Sequence, residues 1–154
     1  MAYPVDPNPS AGVHNDVHAT QQNPLGAVRM FSDGNQYIYL KGVASTAAND
    51  WVVFDETYQT TRAVATSGGP AAIAQAATIA STFGWYLYIG SGTAYVLSAA
   101  VSAATLYANA QAGAASATVV SNKGYLNVMT ATAAASNAAT VRINRPWLGD
   151  NTIS

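Results

Sequence analysis

The sequence predicts an all-β protein, a small antiparallel β-barrel or sandwich with an extended N-terminal arm. Apolar and aromatic residues recur with a period of two in short runs, and Gly, Asn, Asp and Ser punctuate those runs. The Ala-rich stretches lack the Lys, Glu and Arg pairs that an exposed helix face would carry.

Residues 1–24 hold Pro4, Pro7, Pro9 and Pro24 with Asn, Asp, His and Gln between them, a composition that favours extended or polyproline-like backbone. They are expected to form the arm, ahead of a single β-rich domain over 25–146 and a C-terminal tail over 147–154. Strands are expected within LGAVRMF (25–31), QYIYLKG (36–42), DWVVFDE (50–56) and TTRAVAT (60–66). In the second of these Tyr37, Tyr39 and Lys41 share one face and Ile38 and Leu40 the other; in the third, Val52 and Phe54 oppose Trp51, Val53 and Asp55.

PAAIAQAATIAST (70–82) fits both periods: Ile73, Ala76, Ala77 and Ala80 share a helical face, while Ile73, Ala77 and Ile79 share a strand face. The strand reading is preferred. GWYLYIG (84–90) and TAYVLSA (93–99) flank Gly90, Ser91 and Gly92, which reads as a hairpin turning on its glycines. In VSAATLYANAQAG (101–113), Leu106 and Tyr107 are adjacent and no capping box is present, so the pattern opposes the high helix propensity of Ala. It reads as a loop over 100–104, a short strand over 105–108 and a turn around Gly113. GYLNVMT (124–130) and ATVRINR (139–145) complete the strands.

At 154 residues the chain is long enough to bury roughly two-thirds of its unfolded surface around a single core. Charged residues make up 8% of the sequence, against about 25% in an average soluble chain. None occurs over residues 63–122, so solubility there rests on Ser, Thr, Asn, Gln and backbone, or the surface is covered by partners. A net charge of −1 without a basic face argues against nucleic acid and anionic membrane as partners and leaves proteins. The start, MAYPVDPNPS, has neither the basic residues nor the apolar run of a signal peptide. The apolar region over 71–107 is broken by Gln75, Gly84, Gly90, Ser91 and Gly92 and does not read as a membrane span.

Cysteine is absent, which removes disulfides, thiolate metal sites and thiol catalysis. His14 and His18 in HNDVH have the spacing of a helical metal pair, but the arm carries no helix signal and one nearby carboxylate, so an interface or solvated role is preferred. A nucleophilic Ser lacks a base nearby, GxSxG is absent, and Asp55 and Glu56 point to opposite faces of a strand. Neither phosphate-binding loop, GxxxxGK[ST] or GxGxxG, is present. No catalytic, cofactor-binding or metal residue is assigned, and no enzyme activity is expected. Arg142, Arg145 and Trp147 in RINRPWLGD read as contact surface, because Arg and Trp are common interface anchors. With Tyr3, Pro4, Pro7, Pro9, His14 and His18 of the arm they form the expected set of partner or oligomer contacts.

YIYLKGVASTAANDWVVFDETYQTTR, GPAAIAQAATIASTFGWYLYIG, LYANAQAGAASATVV and ATVRINRPWLGD together span most of residues 25–150. In overall texture the chain resembles the decoration or head-stabilisation proteins of tailed-phage capsids. The resemblance implies a β-barrel core and a non-enzymatic virion protein without a cofactor. Such a protein sits on the outer surface of the capsid, bound to the major capsid protein, and reinforces contacts between its subunits, often as a homotrimer. A fibre, spike or tail component engaged in host attachment is the competing class, although no long repeat or coiled-coil leader is visible. Nine tyrosines and three tryptophans suggest a carbohydrate-binding module as a third, but most alternate within expected strands, where core packing accounts for them.

Overall fold

In the computed structural model the described residues are 14–43, 45–97, 100–119 and 123–150. The expected contacts Tyr3, Pro4, Pro7 and Pro9 lie outside them. The described chain is all-β and antiparallel. Its strands are β1 (Val17–His18), β2 (Val28–Met30), β3 (Gln36–Lys41), β4 (Trp51–Phe54), β5 (Thr60–Arg62), β6 (Gly69–Ala74), β7 (Phe83–Tyr95), β8 (Thr105–Ala108), β9 (Ala115–Ser116), β10 (Lys123–Thr130), β11 (Ala138–Asn144) and β12 (Trp147–Asp150).

The strands are hydrogen-bonded in the order β2-β3-β7-β11-β10-β12-β6-β4-β5, and β6 also pairs with β7. That extra pairing, Ile73 opposite Leu87 and Ala74 opposite Tyr86, sets β6 beside β11 on the edge of β7 that faces away from β3. The sheet forms a half-barrel, with β2 and β5 at the two ends of the order.

Period-two alternation feeds two apolar clusters from the same strands. Tyr37, Tyr39, Trp51, Ile73, Trp85 and Leu87 enter the larger cluster, where Leu106, Leu126, Val141 and Leu148 meet them from β8, β10, β11 and β12. Ile38, Leu40, Val52, Phe54, Ala72, Ala74 and Tyr86 point the other way into the smaller one. Both faces of β3, β4, β6 and the first half of β7 are therefore covered, which is why these runs are mostly apolar.

The expected hairpin at Gly90, Ser91 and Gly92 is replaced by one continuous strand. β7 runs through all three residues for 13 residues, and β11 pairs along it from Ala138 opposite Tyr95 to Asn144 opposite Ile89. The glycine serves a close approach. The Asn35 amide pairs with the Ser91 backbone, donating to Ser91 O and accepting from Ser91 N, each at 3.0 Å. A Cβ on Gly90, whose φ is +128°, would lie 2.0 Å from Asn35 Oδ1. The β3–β7 register shifts beside it, Gln36 facing Ile89 and Tyr37 facing Leu87, which leaves Tyr88 as the extra residue of a bulge.

The strand expected over 70–82 stops at Ala74. Beyond it the chain turns across the smaller cluster: Thr78 N donates to Thr46 O at 3.0 Å, and Thr82 Oγ1 to Ile79 O at 2.8 Å. The Thr82 hydroxyl closes a turn on Ile79, while the Thr78 hydroxyl reaches Val43 O at 3.4 Å. The segment 101–113 follows the loop, strand and turn reading, with β8 over Thr105–Ala108. Trp147 to Asp150, read as the start of a tail, form β12, and His18, read as part of the arm, is in β1.

Candidate functional site

The turn between β4 and β5 builds one wall of an open groove. Tyr58 N donates to Asp55 O at 3.0 Å and Asp55 N to Gln59 O at 3.2 Å. This is a tight turn followed by one residue in the left-handed region, a place usually given to Gly. Here Tyr58 occupies it, with φ +60°. Asp55 Oδ1 accepts from Thr57 Oγ1 at 2.7 Å, Thr57 N at 2.8 Å and Gln59 N at 3.1 Å, so the carboxylate itself locks the turn. The Thr57 hydroxyl first, and then the Gln59 amide, hold the Asp55 carboxyl below its usual range, and it stays anionic. The Tyr58 ring stacks on Phe54, centroids 6.3 Å apart, and covers Gly26, where a Cβ would come within 2.3 Å of Tyr58 Cζ.

The other wall comes from a break between β11 and β12. Both strands lie along β10, where Arg142 faces Met129 and Gly149 faces Tyr125. Arg142 and Gly149 are seven residues apart and their partners only four, so the intervening RPW stretch bulges out of the ladder. Arg145 takes φ +49° in the bulge, its N–H donating to Tyr88 O at 2.9 Å, and Pro146 O accepts from Ala71 N at 2.8 Å. Trp147 then pairs with Pro70 and is left 58% exposed. Phe54, Tyr58, Pro70 and Trp147 line about 830 Å³ of groove together with Asp55, Glu56 and Thr57.

The other expected contact residues are placed apart from this groove. Arg142 is exposed in a second depression beside Met129, Thr105 and Thr130. His14 stacks on Tyr37 at 4.9 Å, with Nε2 3.8 Å from Asp33 Oδ2. Asp33 accepts in turn from the Tyr37 hydroxyl and from Asn35 N and Nδ2. His18 Nδ1 lies 3.0 Å from the Tyr39 hydroxyl. The two histidines thus fasten the first described residues to Tyr37 and Tyr39 of β3, two buried members of the larger cluster. Among the described residues no three His, Cys, Asp or Glu side chains are grouped to hold a metal ion.

Sequence reasoning singled out Trp147 and missed Tyr58, Glu56, Phe54 and Pro70 as its neighbours. The available signal was the DETYQ turn, which places a Tyr where a hairpin favours Gly. Trp51 and Trp85 are core residues, 0% and 2% exposed, which separates Trp147 from the other two tryptophans. Comparison with protein-family models, curated proteins and solved structures finds no match to this chain.

Proposed function

We propose that this protein is a non-enzymatic structural component of a phage virion, bound to the outer surface of the capsid, where it reinforces contacts between major capsid protein subunits as a homo-oligomer, with a trimer favoured. The observation that supports the reading is a set of large apolar side chains left exposed on a well-packed β body. Val28 and Met30 on the end strand β2, Met129 on β10 and Trp147 on β12 are all large apolar side chains left exposed. Apolar groups presented on a rigid frame suit persistent protein contacts, and an end strand offers backbone for pairing with a partner. Several equivalent contacts in an oligomer add avidity without strong single contacts.

The test is the copy number of the protein in purified virions. A number near that of the major capsid protein supports decoration, whereas a handful per particle overturns it in favour of a fibre, spike or tail part. Light scattering on the isolated protein distinguishes monomer from trimer. The contact role of Tyr3, Pro4, Pro7 and Pro9 is tested by deleting residues 1–13, a cut that spares His14 and His18 on their tyrosines. Capsid binding should fall with the fold intact; unchanged binding removes the arm from the interface.

A further inference from the structure

We infer that the groove between Tyr58 and Trp147 is a docking site for a cationic side chain, Lys or Arg, presented by a basic segment of a partner protein. The inference goes beyond the capsid reading and stands without it.

Charge complementarity selects the occupant. Among the described residues both charged groups lining the groove are carboxylates, Asp55 and Glu56, with no Lys or Arg. Asp55 is fixed by three hydrogen bonds to one of its oxygens, so its other oxygen is free to accept from a ligand. Glu56 makes no ion pair with any described residue. Across the groove from them stands the exposed ring of Trp147, and the partly exposed ring of Tyr58 lies beside them on the turn. A long cationic side chain matches this arrangement in both parts: its hydrocarbon stem packs on the rings, and its head reaches the carboxylates and the ring faces. The same protein uses such a contact internally, with the Arg29 guanidinium 5.7 Å over the Trp85 ring.

Tyr58, held at φ +60°, where Gly would serve the turn better, keeps its ring at the lip of the groove, stacked on Phe54 and over Gly26. A neutral glycan would also stack on Trp147 and Tyr58. It would, however, cover two carboxylates without a counter-charge, a desolvation cost that a cation removes.

The experiment is a fluorescence titration of the full chain with an acetylated, amidated Gly-Arg-Gly-Arg-Gly peptide, compared with the same peptide carrying citrulline in place of Arg. Trp147 is the exposed indole, while Trp51 and Trp85 are buried and report on the fold. The Arg peptide should give a saturable signal that weakens with added salt, and the citrulline peptide should bind at least about tenfold more weakly. Glu56→Gln and Trp147→Phe should each weaken the Arg peptide several-fold with an unchanged far-UV circular dichroism spectrum. Trp147→Phe is read by calorimetry because it removes the probe. Equal binding of the two peptides, binding that survives both substitutions, or no saturable binding up to millimolar peptide each overturn the inference. Cellohexaose or maltohexaose binding that is lost in Trp147→Phe and kept in Glu56→Gln overturns it as well and assigns the groove to a glycan.

Discussion

Arg62 Nε lies 2.8 Å from Asp50 Oδ2, and Asp50 is almost completely buried. The pair ties β5 to the residue that precedes β4. Arg62 also donates from Nη2 to Ala112 O at 2.7 Å, and Ala47 N donates to Asp50 Oδ2 at 2.9 Å. Around it, Trp51 N donates to Gly113 O and Gly113 N to Ala63 O, so these backbone bonds and the Arg62 side chain together lace the charge-free segment before β9 to the body.

Removing either member should therefore be severe. Arg62→Ala leaves a buried carboxylate with the Ala47 amide as its remaining bond, and the expected loss is about 3–5 kcal/mol in urea unfolding. A loss below about 1 kcal/mol would place the pair among inconsequential surface contacts.

Gly113 packs directly on that carboxylate: its φ is +78°, and a Cβ there would lie 2.5 Å from Asp50 Cγ. Gly34 has a similar φ of +81° with nothing within 4 Å of its Cβ position. Gly34→Ala should cost about 1 kcal/mol from backbone strain alone, and Gly113→Ala clearly more. Equal midpoint shifts for the two in thermal unfolding would contradict the packing argument.

Stability should fall at both ends of the pH scale. For Asp33, burial pushes the carboxyl up, but the bonds from Tyr37 and Asn35 prevail and hold it below 3.8. Its contribution is present above the unfolded value and is lost as pH falls through the lower folded one. Tyr37 is pushed far above 10.0, by burial first and then by its bond to Asp33. Its contribution is complete below about pH 10 and is lost as pH rises toward the folded value. Asp33→Asn should flatten the acid limb of a stability–pH curve and Tyr37→Phe the alkaline limb; unchanged limbs would dismiss the cluster as a source of pH dependence.

Continuity of β7 is open to hydrogen exchange. Amides that face β11 between Ile89 and Tyr95 should exchange slowly, with protection unbroken across Gly90–Gly92. Fast exchange confined to those three residues would restore a turn. Gly90→Ala should displace the Asn35 amide and release the Ser91 N–H in the same measurement.

Much of the strand content was legible because period-two alternation is local. Tyr37 and Tyr39 against Ile38 and Leu40, or Val52 and Phe54 against Trp51, are sorted by adjacent positions alone, and the two core clusters keep that sorting. The absence of charges likewise identified Thr105–Ala108 as a strand despite the Ala content. The groove was half legible: Trp147 stood out as an interface type, but its neighbours come from β4, the β4–β5 turn and β6, far away in the chain.

By itself the sequence determined the all-β class, the sorting of the main strands' residues between two faces and the scarcity of charge, because each depends on residue type and short spacing. The tertiary structure decided everything that depends on which strands become neighbours. Gly90 looks like a turn residue until Asn35 is brought against it, and Trp147–Asp150 looks like the start of a tail until β10 and β6 supply ladders for β12. A glycine is required equally by a turn and by a close approach, and a strand needs an edge to pair with; only the long-range pairing of the half-barrel chooses between them.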